Sequence, residues 1–528
     1  MKKVLSIILV STLSFPVFSQ NVTDANEPQP DKAWYGQELF LQNMMFNSSN
    51  PVSISYNPYS SLNSVDGSYS RQEGSFKPVD GAGNSNLVDF NIYGTKKVNK
   101  ISFEGSLQYS IHDLNNSRWG NTVLTSTKNP FIIADSLIYD SIPNDQNREI
   151  FNLNGGFSWQ TTDRLSLGLR ANYKVSSKAD QADPRFEAHG ARVSVNPGME
   201  YKLSDKFRLG LSLSAEVYHE NVQMDVEDNL LDPAHTIVFL FQEIGNYSVE
   251  NVTGYLRRYN GKVFGGALQN VFTSGKIANF MELGGSYNLE EAIDGGSGYI
   301  KRGGDYKQLD FQISDRFQIK GKNTLHNISL NAGMLMGTSK NFKQSSNYDK
   351  FHNIEWTILS SEVTQKEKDI NANLSYRFDL LKNGRSHLTA ELNGGMDMVS
   401  VNQYPDEYYS KYTLANAGLS VSKRIWIHKF CLNISADGSY HMPLKELDYE
   451  LPVNPAGKKR FMNGYFIPKY QYFAAEYLSA GASVGISYPV AKGQSLNLTA
   501  GYRQSDYKGE YSRFDNRKST YAKLTYTF

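Results

Sequence analysis

From Leu62 to the carboxy terminus, segments of about ten residues place apolar side chains at every second position. Phe151, Leu153, Phe157 and Trp159 oppose Asn152, Asn154, Ser158 and Gln160. Leu165, Leu167, Leu169, Ala171 and Tyr173 then oppose Ser166, Arg170, Asn172 and Lys174. A period of two belongs to an extended strand with unlike faces, because successive side chains point to opposite sides. The same alternation recurs in Ile101–His112, Phe207–Val217, Ile328–Met334, Leu388–Met396, Ala480–Ile486 and Leu496–Tyr502. A two-sheet sandwich would share it, but the connections separate the two folds. Short turns near Lys96, Asp163, Ser204, Gly275, Gly321, Lys382, His428 and Gly493 alternate with long polar connections. The long ones are Asp113–Arg148, Lys178–Gly190, His219–Gly261, Glu290–Gly304, Gly337–Lys366, Val401–Lys411, Pro443–Lys469 and Gln504–Asn516. That asymmetry is the one between periplasmic turns and extracellular loops. An open sheet edge cannot face hydrocarbon, so the strands must close. The sequence therefore predicts an all-β chain forming one transmembrane antiparallel β-barrel of about 18 strands, with about 16 as the fallback. Ile354–Leu380 reads as one long strand running beyond the membrane.

Composition supports the same class. Mean hydropathy is -0.48 and no apolar run approaches the length of a helical span, yet a barrel strand needs only alternate apolar residues. The chain holds 34 Tyr and 28 Phe, which suits aromatic girdles at two interfaces. A formal net charge of +1 argues against a nucleic-acid partner. Cys431 is the sole cysteine, so no internal disulfide framework exists; it reads as a small strand residue turned to the lumen. Lys2 and Lys3, the apolar run Val4–Leu13 and the small-residue end at Ser19 predict a cleavable signal over 1–19. Residues 20–60 read as a periplasmic lead in which Ala33–Phe46 has helical spacing and could plug the lumen; 61–528 is the barrel.

Inward-facing positions predict a lumen lined by Glu104, Arg170, Lys174, Glu200, Arg208, Glu216, Glu282, Arg377, Asp379, Glu391, Asp397, Asp437, Arg503 and Lys523. Both signs are present in similar number, which fits an ion-pair network across the lumen or a weakly selective passage, and equally a plain wet wall. In the longest loop, Ile237, Val238, Phe239, Leu240 and Phe241 form a continuous apolar run that must be buried, either as a constriction of the mouth or against another protein. Asp225, Glu227, Asp228 and Asp232 lack the glycine and terminal glutamate of a calcium loop, so neither a metal nor a cofactor is expected. His112, Ser117 and His441 stand at strand rims without the spacing of an outer-membrane lipid hydrolase, and no catalytic set is expected. Tyrosines cluster in the loops, as at Tyr404, Tyr408, Tyr409 and Tyr412, and suit sugar or protein contacts.

Two stretches carry a resemblance. Tyr521–Phe528 alternates and ends on an aromatic, with Tyr526 and Phe528 on the apolar face; it resembles the closing strand and assembly signal of bacterial outer-membrane barrels. Phe46-Asn47-Ser48-Ser49-Asn50-Pro51 is similar to the entry segment of Bacteroidota outer-membrane barrels, including type IX secretion-associated and fatty-acid-transporter-like ones. The resemblance implies a Gram-negative outer-membrane location after Sec export. Its implied partners are outer-membrane lipid, the barrel-assembly machinery, and neighbouring TonB-dependent transporters and surface lipoproteins. The expected function is solute passage or uptake. The alternatives are a docking barrel that binds partners through its loops and, as a minor one, a rim-located hydrolase.

Overall fold

The computed structural model describes residues 45, 48–134, 145–180, 185–226, 237–244, 246–251, 254–295, 300–351, 354–382, 385–405, 408–450 and 462–528. The expected signal, the 33–46 helix apart from Met45, and Glu227, Asp228 and Asp232 lie outside the described residues. In chain order the strands are β1 (Ser61–Gly74), β2 (Asn84–Val98), β3 (Ile101–Asn115), β4 (Ile133–Ala134), β5 (Gln146–Gln160), β6 (Leu165–Asp180) and β7 (Arg185–Lys202). Then come β8 (Phe207–Asp225), β9 (Ile237–Glu243), β10 (Asn246–Asn251), β11 (Tyr255–Ser274), β12 (Ile277–Asp294), β13 (Lys301–Lys320) and β14 (Thr324–Tyr348). The last are β15 (Ile354–Lys382), β16 (Arg385–Gln403), β17 (Tyr409–Ile427), β18 (Phe430–Glu450), β19 (Tyr477–Ala491), β20 (Gln494–Tyr507) and β21 (Asn516–Thr527).

Eighteen of these form one closed antiparallel barrel, and β4, β9 and β10 form a separate three-stranded sheet. The ring closes where β1 pairs with β21 from Ser64↔Thr527 to Gly74↔Arg517. Beyond that register Asn63 and Phe528 exchange backbone hydrogen bonds at 2.8 and 2.9 Å, so no strand edge is left at the seam. Outward positions are apolar and bare: Leu213, Val217, Phe264, Leu268, Leu392 and Leu498 are all more than half exposed. In water each would forgo on the order of 1.5–3 kcal/mol of burial, whereas hydrocarbon removes that penalty.

At one end, the turn end, the connections are tight. Asn99, Gly275, His428 and Gly493 adopt left-handed backbone there (φ 52°, 58°, 54° and 76°), the geometry that matches the twist of paired strands. The first turn lies at Asn99–Lys100 rather than near Lys96, because β2 carries its alternation on to Val98.

At the other end, the loop end, several stretches expected as long loops are strand. β14 and β15, strands of 25 and 29 residues, stay paired from Thr324↔Leu380 to Tyr348↔Ile354. The expected connection Gly337–Lys366 is therefore mostly ladder, with Tyr348 and Ile354 already paired. Polar residues continue the period of two above the apolar band, which keeps the backbone paired where lipid no longer requires it.

Candidate functional site

The lumen carries inserted structure at both ends. At the turn end, residues 48–57 enter the barrel before β1 begins. Asn50 caps the 3-10 helix Pro51–Tyr56 through its own Oδ1, which accepts from Val52 N at 3.0 Å. Proline follows as the first helical residue, where its missing N–H costs nothing. The Asn50 amide nitrogen donates to Met199 O at 2.9 Å and to Gln269 Oε1 at 3.1 Å, and the residue is fully buried. The wall makes room by omitting side chains. A Cβ at Gly198 would stand 2.4 Å from Asn50 Oδ1, and one at Gly168 would stand 2.8 Å from Val52 N.

Polar side chains pin the stopper. Glu282 accepts from Ser48 Oγ at 2.8 Å and Ser49 N at 3.1 Å. Tyr56 donates to Glu200 at 2.6 Å and accepts from Arg208 at 2.8 Å. Beside this stopper lies a cavity of about 170 Å³, lined by Ser49, Asn196, Ser212, Ser214, Glu282, Ser286, Asp310 and Gln312 among others. Its chemistry is hydroxyl, amide and carboxylate, with no basic side chain among the lining residues.

At the loop end, the β3–β5 connection folds back into the lumen. Glu220, fully buried on the inner face of β8, accepts from Val123 N, Leu124 N and Thr125 N at 2.7–2.8 Å and from Thr125 Oγ1 at 2.9 Å. Three consecutive N–H groups converging on one carboxylate fix the turn of that loop. Glu290 accepts from Ser126 N at 3.0 Å and Asn129 Nδ2 at 2.7 Å. Arg257 and Asp294, both almost fully buried, form a two-pronged pair at 2.5 and 2.8 Å, and Tyr259 donates to Phe131 O at 2.9 Å.

Lys128 reaches from the same loop to Glu367, at 2.8 Å, and to Asp369 on β15. Burial alone would lower its pKa, but the two carboxylates hold it above the usual lysine value. Around these polar anchors Phe131, Ile133, Phe186, Met224, Leu240 and Tyr259 pack as one apolar cluster.

The apolar run Ile237–Phe241 is strand β9, flanked by β4 and β10, and Val238 to Phe241 are buried within this chain. Phe241 meets the rings of Trp119 and Tyr465 at centroid distances of 6.0 and 5.0 Å. Tyr465 leads into helix α1 (Ile467–Phe473), so three separate connections share one lid.

The lumen-facing residues expected from sequence fall into short pairs. Glu104 accepts from Arg170 at 2.7 Å, Arg192 lies 3.4 Å from Glu216, Arg377 donates to Asp379 at 2.8 Å, and Lys523 lies 3.3 Å from Asp66. Arg503 pairs with Asp437, and Glu391 stands opposite Arg377 in register. Lys174 registers with Arg192, and Asp397 with Asn371. Each ion pair joins residues of one strand, of adjacent strands, or of strands one apart. They are wall pairs rather than the cross-lumen network that mixed signs suggested, because a ring of 18 strands is too wide for side chains to meet across it. Glu282, Glu200 and Arg208 instead grip the stopper.

Sequence reading missed Glu220, Glu290, Arg257 and Asp294. The inward parity of Glu216, Tyr218 and Glu220 would have carried β8 past Val217 and marked the first of them. His112 sits on β3, Ser117 donates to Asp80 O at 3.4 Å, and the His441 ring stacks on Tyr477 at 4.2 Å. At the seam the Tyr526 and Phe528 rings stack at 5.4 Å, and Tyr526 donates to Gln494 at 2.9 Å. Cys431 is buried beside Trp426.

No curated protein matches the chain in sequence. Among solved structures it is similar to BauA, the ferric preacinetobactin receptor from Acinetobacter baumannii, at 9% identity over 89% of this chain and 80% of that one (TM-score 0.40). It is similar to the outer membrane transporter YddB from Escherichia coli at 8% identity over 88% and 80% (TM-score 0.38). A Pseudomonas aeruginosa FadL homologue matches at 10% identity over 95% and 98% (TM-score 0.33). In sequence, residues 51–528 match one family throughout, and the chain belongs to it: the family of unknown function DUF6850.

Proposed function

We propose that this barrel sits in the outer membrane of a Gram-negative bacterium and passes a small polar solute, with the turn-end stopper as its movable part. The observation that carries this reading is the polar cavity beside residues 48–57, walled by serines, amides and the carboxylates of Glu282 and Asp310. The hydrogen bonds that pin the stopper there are ones that water or a hydroxylated solute can replace group for group, while Val52 and Ile54 add buried apolar contacts to the wall. Planar-bilayer recording of the purified protein tests it. The intact chain is expected to conduct little, and a variant lacking residues 20–57 to give stable open steps. A folded deletion variant that stays silent would overturn the reading.

A docking role is the second reading, and the β14–β15 ribbon favours it. Beyond Lys340 backbone pairing with β13 ends, Gln344 bridging back to the Arg302 backbone at 2.8 and 2.9 Å, and the ribbon exposes Tyr348, Phe351 and Leu359 at about 70% each. Exposed apolar side chains of this size mark contact surfaces. Trimming 341–363 and asking which neighbours still co-purify separates it from the first.

A further inference from the structure

We infer that the outer wall of β15–β18 carries a binding site for the phosphorylated headgroup of a lipid in the loop-end leaflet. The inference rests on the membrane reading given above. Along β15 the outward positions from Leu380 to Ile370 are all apolar, and the next two are Lys368 and Lys366. Ten residues at about 3.3 Å, tilted by about 45°, rise roughly 25 Å, which is the height of a barrel's apolar band. Lys368 therefore stands where acyl chains give way to headgroups.

At that height β15–β18 form a cavity of about 320 Å³ on the lipid-facing side. Its floor is Ile370 and Met398, and its rim carries Lys368, Lys411 and Lys445 with the Ser400 hydroxyl between them. Inner-face residues fix the sidedness: Lys128 reaches Asp369 from within the lumen, so Lys368 points out, and Leu414 packs in the lid cluster, so Lys411 and Thr413 point out. Glu446 and Asp448 complete the rim, and Asp448 is engaged by the Tyr409 hydroxyl at 3.1 Å.

The opposite wall is different. At comparable height the outward positions of β3, β5 and β7 carry Asp113, Glu149 and Glu187 and no lysine, with Arg185 the one basic residue at the end of β7. Outward lysines also stand at this height on β11 (Lys262) and β13 (Lys307), and what sets β15–β18 apart is the apolar-floored cavity that three lysines share. An apolar floor of Ile370 and Met398 beside a rim of Lys368, Lys411 and Lys445 matches a lipid that presents acyl chain and phosphate together, whereas free phosphate would leave the apolar floor uncovered. The lysine stems lie along the apolar wall while their heads reach the phosphate plane.

Native mass spectrometry of the full chain in detergent tests the site, with three probes: a bisphosphorylated acylated glucosamine disaccharide, its dephosphorylated form, and inorganic phosphate. The wild type is expected to retain the phosphorylated lipid over the dephosphorylated one, with millimolar phosphate failing to displace it. At about 1 kcal/mol per lysine, the K368Q/K411Q/K445Q triple variant is expected to lose affinity on the order of a hundredfold, and the triple arginine variant to keep it.

Equal retention of both lipids, an unaffected triple glutamine variant, or displacement by free phosphate would each overturn the site. The triple glutamine variant should stay heat-modifiable on gels and show the wild-type conductance pattern. Failure of this site therefore remains distinguishable from failure of the membrane or channel reading, which a wild type soluble without detergent or a silent stopper deletion would reveal.

Discussion

The segments inserted at the two ends of the lumen are held by opposite kinds of chemistry. The turn-end stopper is one short segment whose anchors are serine, asparagine, glutamine and tyrosine groups meeting Glu282, Glu200 and Arg208. The loop-end lid draws on three connections, fuses them through aromatic contacts, and buries an ion pair beneath them. Hydrogen bonds to a wet wall exchange with water at a net cost of about 1 kcal/mol each, whereas an apolar cluster with a buried charge pair must come apart as a unit. On the channel reading proposed above, the stopper is the end to move and the lid the end to stay.

The contrast breaks most visibly at Arg257. Its replacement by alanine strands the Asp294 carboxylate in an apolar surround and is expected to cost about 3–5 kcal/mol, seen as a lower thermal midpoint in detergent. The double variant Arg257→Met/Asp294→Leu, which removes both charges, should recover most of that loss. If the single variant melted like the wild type, the lid would be no more integral than the stopper.

At the other end, Asn50→Ala removes the cap and its wall contacts, about 2–3 kcal/mol for three hydrogen bonds. The global midpoint should hardly move, while open-channel time in bilayers should rise. A matching fall in midpoint would show that the stopper belongs to the fold after all.

The barrel was legible because its physics is periodic. Alternation, tight turns and the terminal aromatic each repeat or sit at a fixed place, so strand number and closure follow from counting. The lid was not legible, since Glu220 recognises three backbone N–H groups from a loop 95 to 97 residues away, and no periodicity encodes such a meeting. The run Ile237–Phe241 announced that it needed burial, yet Trp119 and Tyr465, which cover it, come from two other connections. The stopper lay between these extremes: Asn50-Pro51 is a helix-start signal, but the glycine slot receiving it is scattered over separate strands.

A smaller effect is expected at the latch from the lid to β15. Lys128 is held above the ordinary lysine pKa, so the folded state binds its proton more tightly than the unfolded chain does. Its contribution is complete below the unfolded value near 10.5 and is lost only as pH rises through the folded one. Lys128→Met should therefore cost roughly 1–2 kcal/mol at neutral pH, read as faster amide exchange across 119–134, with the stopper's exchange unchanged. Equal loosening at both ends would mean that they are coupled.

The smallest effect has the opposite sign. Lys77, in the β1–β2 connection at the loop end, donates to Gly81 O at 2.5 Å, and burial with Arg517 and Arg118 nearby pushes its pKa down to about 8. The unfolded chain then binds more protons than the folded one between about 8 and the ordinary value near 10.5, so stability rises with pH across that window. At neutral pH the charge is a strain on this edge of the lid. Lys77→Met should relieve it, raising the midpoint slightly at pH 7 and flattening the difference from wild type as pH approaches 10. A difference curve that is flat throughout would show that water reaches Lys77 and that the strain does not exist.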